Sequence, residues 1–177
     1  DEQAEAFRGS EFSHALLEEA TELKEDHVLV ILSRLRTKAN MTPSMGITCN
    51  PSPTHFLRKW IDWYLLPEGH EHAGRPDPSK DGIVRYFLRI DNEMIWADTK
   101  EELFERYKDP TLPDDHVEQP MPVSFTFISG NIYDNPILMK TQPQYLASLK
   151  AMKRVKQERD LWGNWNVKEQ TAGFWDS

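Results

Sequence analysis

Short apolar runs that alternate with helical and polar segments are the clearest pattern in this chain. An apolar run over residues 12–17 ends in two adjacent carboxylates, and residues 23–35 then place apolar side chains at helical spacing. A second short run follows at residues 44–49 and stops at an Asn-Pro pair. This order predicts a strand, a helix and a second strand parallel to the first, because one crossover helix joins neighbouring parallel strands.

The rest of the chain adds further helices and strands. Two apolar runs around a short polar turn predict a hairpin, and stretches rich in Gly, Pro or acidic residues mark exposed connections. In chain order, we predict a helix over residues 56–65 capped by Thr54, a loop over 67–81, a hairpin over 83–97, a helix over 99–108, a connection over 109–122, a strand over 123–128 and a last helix over 143–162. The pattern therefore predicts an α/β fold with a β-hairpin insertion.

Composition limits the classes of protein to which the chain can belong. With 177 residues and 38% hydrophobic content it can bury one core, and it lacks the run of about 20 apolar residues that a membrane span needs. The net charge of −8 argues against a surface that binds nucleic acid throughout, although it is compatible with a local basic patch. The single cysteine, Cys49, cannot form an internal disulfide, which suits a reducing, cytosolic setting, and no signal-like segment indicates secretion.

Two polar strand ends carry the candidate chemistry. Glu18 and Glu19 follow the first strand, and Thr48, Cys49 and Asn50 close the second. Parallel strands deliver their carboxyl ends to one edge of a sheet, where α/β proteins bind ligands. Of two adjacent carboxylates there, one can hold Mg²⁺ through water while the other positions an attacking water, as in the hydrolytic half of a nucleotide-driven motor. The alternatives are a solvated strand-to-helix turn and a simple Asn-Pro turn.

Cationic side chains are the other candidates. Arg34 and Arg36 end the first helix, where the helix dipole stabilises cations, and either arginine could instead reach phosphate. Lys153 and Arg154 begin a basic run over residues 153–159, which is either a solvated helix face or a contact to DNA. Spacing alone leaves both pairs open between a structural role and a phosphate contact.

Several of these segments, taken in chain order, resemble the ATPase region of tailed-phage terminase large subunits. The likeness covers nearly the whole chain and is carried by residues 7–12, 18–22, 33–36, 48–51, 85–87, 127–128, 134–138 and 163–165. Terminases of this kind pump viral double-stranded DNA into procapsids through the portal and cut it with a separate nuclease domain. The resemblance implies a P-loop NTPase-like three-layer fold and an ATP hydrolase that uses Mg²⁺.

The resemblance also implies roles for the strand-end residues. Glu18 takes the Mg²⁺-binding place of the Walker B pair, and Glu19 takes that of the catalytic base. Thr48, Cys49 and Asn50 fall in the coupling motif, which senses the γ-phosphate and relays hydrolysis to DNA movement. The family more often has Asp where this chain has Glu18. The implied partners are double-stranded viral DNA, the portal protein, the small terminase subunit and further copies of the chain in a homo-oligomeric ring, in the host cytoplasm during virion assembly.

One motif of this fold does not occur in the 177 residues. The sequence contains no G-x-x-x-x-G-K-[ST] phosphate loop, so we expect a partial fold that lacks the Walker A strand and loop. On this interpretation, residues 1–165 are the carboxyl-terminal half of a terminase ATPase domain, and residues 166–177 begin a linker toward an absent nuclease domain. The isolated chain would then be inactive, and ATP hydrolysis would belong to the complete protein.

Two other classes of function stay open. The chain could be a non-catalytic module that keeps the terminase fold and docks on a partner. Glu22 and Lys24, if they share one strand face, could belong to a metal-dependent nuclease. His70 and His72 could be metal ligands in a surface loop, although no third distant ligand is evident.

Overall fold

The structure of the chain, a computed structural model, describes residues 11–38, 40–91 and 93–167. Helices and small sheets alternate along these residues, so the predicted mixed α/β class is confirmed. None of the helices in this part of the chain is long and apolar enough to cross a membrane.

The chain divides into two compact units. The first unit comprises residues 1–59 and 131–177, and the second unit comprises residues 60–130. Within the first unit, Arg58 Nε donates a hydrogen bond to Asn166 Oδ1 over 2.9 Å, which joins its two sequence segments. Of the predicted linker, only Asn166 and Val167 are described, and residues 168–177 lie outside the described part, as do residues 7–10 of the terminase-like pattern.

A parallel pair of strands forms the sheet of the first unit. β1 (His14–Leu17) and β2 (Ser44–Ile47) are hydrogen-bonded in parallel, with Leu17 opposite Ile47. Both strands alternate exposed and half-buried residues, and Leu16 is 67% exposed on the open face. The strand–helix–strand prediction is therefore confirmed, but the strands are half-buried rather than buried.

The crossover between these strands is a short amphipathic helix. α1 (Glu25–Ser33) buries Val28 completely and Ile31 almost completely. Glu25 and Asp26 occupy its first turn, where the positive end of the helix dipole favours negative charge. The apolar spacing that predicted this helix thus marks the face that packs inward.

The predicted helix over residues 56–65 is shorter than expected. α2 (Leu57–Trp60) gives way to a 3₁₀ turn (Asp62–Tyr64), and the boundary between the two units falls within α2. Tyr64 is buried, and its hydroxyl donates to Ile83 O over 2.9 Å in the second unit. This tertiary contact favours the tighter turn over the continued helix that the apolar spacing predicted.

A three-stranded antiparallel sheet forms the second unit. β3 (Val84–Ile90) and β4 (Glu93–Ala97) are the predicted hairpin, which turns through Asp91 with a positive φ of 50°. β5 (Val123–Thr126) pairs with the other edge of β3. The strand predicted over residues 123–128 is thus present, and it widens the hairpin into a sheet.

One helix covers part of this sheet. α3 (Lys100–Tyr107) begins after Thr99, whose Oγ1 accepts a backbone hydrogen bond from the first turn over 3.2 Å. Leu103 is completely buried and clusters with Leu88 and Ala97 of the sheet. The helix predicted over residues 99–108 is confirmed, and the structure adds Thr99 as its cap.

The single helix predicted over residues 143–162 is wrong. Three short helices follow the second unit, namely α4 (Pro136–Thr141), α5 (Pro143–Ala151) and α6 (Arg154–Asp160). Between the last two, Gln157 Nε2 donates to Lys150 O over 2.9 Å and to Met152 O over 2.7 Å. The side-chain amide satisfies carbonyl groups that a continuing helix would otherwise bond, so the break is stable.

The broken helix also changes which side chains are buried. Tyr145, Met152 and Val155, which the helical spacing placed in the core, are exposed. Leu149, at the same spacing, is buried as that spacing predicts. Leu161 and Trp165 are buried as well, whereas Trp162 is exposed and stacks on Tyr133.

Candidate active site at the carboxyl ends of the parallel strands

The residues that follow β1 and β2 lie side by side at one edge of the parallel pair. Asn50 Nδ2 donates a hydrogen bond to Glu19 Oε2 over 3.2 Å. The backbones are joined as well, because Thr48 N–H donates to Leu17 O over 2.8 Å and Ala20 N–H donates to Thr48 O over 3.0 Å. Parallel pairing therefore continues past both strands and brings the two polar strand ends together.

Glu19 has a left-handed backbone conformation, with φ 51° and ψ 42°. This conformation costs a residue other than glycine about 1 kcal/mol or more. It turns the chain sharply from β1 into a 3₁₀ turn (Ala20–Glu22), in which Ala20 is completely buried. Because such strain occurs preferentially at functional sites, Glu19 is distinguished both by its backbone and by its amide partner.

The segment after β2 alternates in exposure, as an extended chain does. Thr48 and Asn50 are exposed, whereas Cys49 between them is half-buried. Burial and, to a smaller extent, the negative charge of Glu19 raise the pKa of the Cys49 thiol. Cys49 is therefore a neutral thiol at neutral pH and is a poor nucleophile.

The donor set at this edge suits a hard cation. Glu18 and Glu19 are exposed carboxylates, and nowhere in residues 11–38, 40–91 and 93–167 do three His, Cys, Asp or Glu side chains form a metal site. Mg²⁺ commonly binds through one or two carboxylates together with water and substrate phosphates, whereas a structural zinc site needs four protein ligands. The carboxylate pair thus fits Mg²⁺.

Two other arrangements considered for metal chemistry are not supported. His70 and His72 have ring centroids 6.0 Å apart, and His70 Nδ1 accepts a hydrogen bond from the backbone N–H of His72. Glu22 lies in a 3₁₀ turn and Lys24 directly precedes α1, so these two side chains do not share a strand face. The expected geometry of a nuclease site is therefore wrong.

The two arginines that follow α1 lie at the opposite end of β1 from the carboxylates. Phe12 N–H donates to Arg34 O over 3.0 Å, and Arg36 N–H donates to Phe12 O over 2.9 Å. Arg36 also pairs with Glu11 at 3.0 Å, whereas Arg34 Nε is buried without a hydrogen-bond partner among the described residues. Because the length of β1 separates both arginines from Glu19, the structure does not bring them to this site.

Lys153 and Arg154 are exposed where α6 begins. Cations at the amino end of a helix oppose the helix dipole, so the dipole supplies no structural reason for these charges. Their contact with DNA stays a prediction.

His55 belongs to this region, although the sequence pattern did not identify it. Its Nε2 lies 2.7 Å from Leu23 O, and its Nδ1 accepts a hydrogen bond from Leu57 N–H over 3.4 Å. The second contact caps the first turn of α2, the role that the sequence suggested for Thr54. The available signal was a polar side chain just ahead of the first helical residue, where acceptors are favoured.

Comparison with known protein families adds an independent finding. A family model described as terminase large subunit, T4likevirus-type, N-terminal, matches residues 1–174. The match spans every residue described above. Searches of curated proteins and of solved structures gave no match.

Proposed function

This chain belongs to the terminase large-subunit family, T4-like virus type, N-terminal region, and we propose that it forms the hydrolytic part of the ATP-driven motor that moves viral double-stranded DNA into procapsids. In this proposal, residues 1–165 are the carboxyl-terminal half of a P-loop NTPase-like ATPase domain, with a three-layer core that contains β1 and β2. The antiparallel sheet of the second unit is the insertion, and residues 166–177 lead toward a nuclease domain.

The hydrogen bond between Asn50 and Glu19 is the observation that carries the proposal. A carboxylate that positions a water molecule must itself be held in place, and the amide of Asn50 holds one oxygen of Glu19 while the other stays available to accept. An amide donor can bond a phosphate oxygen as well as a carboxylate. The nucleotide state can therefore change this contact and, through it, the segment after β2.

The two carboxylates have different roles in this mechanism. Glu18 would hold Mg²⁺ through water, and Mg²⁺, when bound, neutralises negative charge on the nucleotide phosphates. Glu19 accepts a hydrogen bond from the attacking water and so orients it toward the γ-phosphate. The sequence contains no Walker A motif, so we propose that the backbone cradle for the phosphates comes from outside these 177 residues.

The same proposal extends to partners. We propose that the complete protein acts in the host cytoplasm as a homo-oligomeric ring on the portal protein, with the small terminase subunit and double-stranded DNA. Lys153 and Arg154 are exposed and are candidates for DNA contact. Arg34 and Arg36 lie away from Glu19, so any phosphate that they bind is more readily one of DNA than one of the nucleotide.

Substitution of the two carboxylates in the complete protein tests the assignment. We expect Glu19→Gln to abolish ATP turnover while leaving ATP binding nearly intact, because the variant loses only the group that orients water. Glu18→Ala should additionally weaken the Mg²⁺ dependence of ATP binding. Glu22→Gln, an exposed acidic residue in the adjacent turn, is the matched control and should keep wild-type turnover. ATPase activity close to wild type in Glu19→Gln would contradict the proposal.

A non-catalytic docking module is the second candidate, and the missing Walker A motif favours it for the isolated chain. DNA packaging by the complete protein distinguishes the two functions. If the chain is a docking module, the complete protein with Glu19→Gln should package DNA normally. If the chain is the hydrolytic part of the motor, the same variant should package none.

A further inference from the structure

His55 adds a side-chain hydrogen bond, besides that of Asn50, between the segment after β1 and the segment after β2. The first is the contact between Asn50 and Glu19, at 3.2 Å. The second joins His55 Nε2 to Leu23 O over 2.7 Å. Leu23 lies four residues after Glu19, and His55 lies five residues after Asn50. The chain from Pro51 to Thr54, which we call the strap, is therefore flanked at each end by a residue whose side chain is hydrogen-bonded to the segment after β1.

The chemistry of the partners determines the state of the His55 ring. A carbonyl oxygen only accepts hydrogen bonds, so Nε2 must carry the proton that reaches Leu23 O. Nδ1 is then an acceptor, which is what the N–H of Leu57 requires. A single neutral tautomer therefore satisfies both contacts. Through them one ring connects the turn after Glu19 to the first residue of α2.

The strap is short and conformationally restricted. Pro51 and Pro53 fix two of its φ angles, and His55 N–H donates to Ser52 O over 3.4 Å. The His55 contact with Leu23 is half-buried, where a hydrogen bond is stronger than in open water. A displacement of Asn50 is therefore not absorbed within the strap and is passed to the residues at its far end.

We propose that His55 is a positioning residue for energy coupling, which anchors the far end of the strap so that a change at Asn50 moves α2. This inference rests on the proposed function, because it requires that the nucleotide state changes the Asn50–Glu19 contact. It assigns His55 no contact with nucleotide. Without the anchor, the strap would shift without moving α2, and hydrolysis would continue while DNA movement per ATP fell.

Side-chain replacements at His55 can separate its two hydrogen bonds. Gln places an amide N–H near the position of Nε2 and can still donate to Leu23 O, whereas Asn is shorter and reaches only the position of Nδ1. His70→Ala is a control, because His70 lies in an exposed loop of the second unit and, within the part of the chain that the structure describes, bonds inside its own turn. Each variant is prepared in the complete protein.

The first measurement is the number of DNA base pairs packaged per ATP hydrolysed. We expect His55→Asn to lower this ratio by about fivefold, the factor that corresponds to one lost hydrogen bond, and His55→Ala, which loses both hydrogen bonds, to lower it at least as far. In both variants ATP hydrolysis should stay within about twofold of wild type. His55→Gln should restore most of the ratio, and His70→Ala should leave it unchanged. An unchanged ratio in His55→Asn, or an equal loss of hydrolysis and packaging, would overturn the proposal.

The second measurement is amide hydrogen exchange of residues 50–57 in the nucleotide-free protein, and it does not depend on activity. His55→Asn should exchange about fivefold faster than wild type there, His55→Ala at least as fast as His55→Asn, and His55→Gln at nearly the wild-type rate. Wild-type exchange in His55→Ala would show that no anchor exists and would overturn the inference. If Glu19→Gln keeps its ATP turnover, the proposed function fails, and the coupling role of His55 fails with it. This holds even if faster amide exchange in His55→Ala shows that His55 anchors the strap.

Discussion

Glu19 combines an unfavourable backbone with a side chain that has a defined partner. Its positive φ bends the chain at the end of β1, and this bend sets the carboxylate beside Asn50. A glycine at the same position would take up the bend without strain, but it would have no carboxylate. The strain at Glu19 is thus a stability cost that accompanies the proposed catalytic group.

Glycine substitutions at the two adjacent glutamates measure this cost. Glu18 has no positive φ, so Glu18→Gly should lose stability through the greater freedom of the unfolded chain. Glu19→Gly gains relief of the left-handed strain and should therefore be more stable than Glu18→Gly by about 1 kcal/mol. Thermal unfolding of the two variants of the complete protein gives the comparison. Equal losses of stability would show that Glu19 is not strained.

The Cys49 thiol offers a chemical probe of the same edge. Because burial and the charge of Glu19 raise its pKa, less thiolate is present at a given pH than for a free cysteine. Alkylation of Cys49 by iodoacetamide, followed by mass spectrometry of the peptide, should be slow and should rise with pH above the range of a free thiol. Glu19→Gln should raise the rate modestly, since burial, the larger cause, remains. If Cys49 in the unaltered protein were alkylated as fast as the thiol of a free peptide, its placement beside Glu19 at a half-buried position would be contradicted.

At the scale of single residues, the sequence predicts part of the site. The approach of residues 48–50 to Glu19 followed from two strands joined by one crossover helix, which needs no knowledge of side-chain detail. The bond from His55 to Leu23 could not be predicted, because it depends on how the chain turns after Asn50. The bend at Glu19 was equally hidden, since glutamate has no preference for a positive φ.

At the scale of elements, Gln119 organises the long connection between α3 and β5. Gln119 is buried, and its Oε1 accepts from Asp109 N–H over 2.9 Å. Its Nε2 lies within 3.0–3.2 Å of three carbonyl oxygens, those of Asp109, Leu112 and Pro113. One side chain thus holds a proline-rich, acidic stretch in a defined loop.

Replacing this amide by a carboxylate should open the loop. In Gln119→Glu, a carboxylate oxygen replaces the Nε2 donor and faces carbonyl oxygens, and neither group can donate a hydrogen bond. We therefore expect the free energy of unfolding to fall by about 2–3 kcal/mol. Limited proteolysis of residues 109–122 and urea unfolding of the complete protein both report the change. Glu118→Gln, which alters an exposed neighbour, is the control and should behave as wild type. Unchanged proteolysis in Gln119→Glu would mean that the loop does not depend on this side chain.

The elements differ in how far the sequence predicts them. The hairpin of β3 and β4 and the helix α3 were predicted closely, because turn residues and helical spacing act locally. The helix over residues 143–162 was not, because its break depends on Gln157 bonding back to Lys150 and Met152, a choice that apolar spacing does not encode. The role of Gln119 in the loop was missed for the same reason.

At the scale of the whole molecule, the contacts of the proposed site all lie in the first unit. Glu19, Asn50 and His55 belong to it, and the chain enters the second unit within α2, directly after the strap. α2 is therefore where the chain that carries Asn50 and His55 passes into the second unit. The family implies a DNA-packaging role, and the proposed coupling through His55 requires this covalent connection.

Substitution of Asn50 tests whether the motor is coupled in this way. We expect Asn50→Ala in the complete protein to keep substantial ATP hydrolysis but to package little DNA, since it removes the sensing contact and leaves both carboxylates. The double variant with His55→Ala should lose no more coupling than Asn50→Ala alone, because both residues act through one strap. Packaging and ATPase rates measured together decide the outcome. Equal loss of both activities would assign Asn50 to the chemistry or the fold, and undiminished packaging would make it a simple turn residue.

The register of β1 against β2 has a consequence for insertions and deletions. Leu17 lies opposite Ile47, and side chains alternate faces with a period of two residues. Loss of one residue inside β2 would shift every later residue by one place. Asn50 would then take the half-buried position of Cys49, and Pro51, which has no amide side chain, would take the place beside the Glu19 carboxylate. Loss of one residue in the connection between α1 and β2 would leave the faces unchanged. Natural variation in chain length is therefore tolerable ahead of β2 and damaging within it.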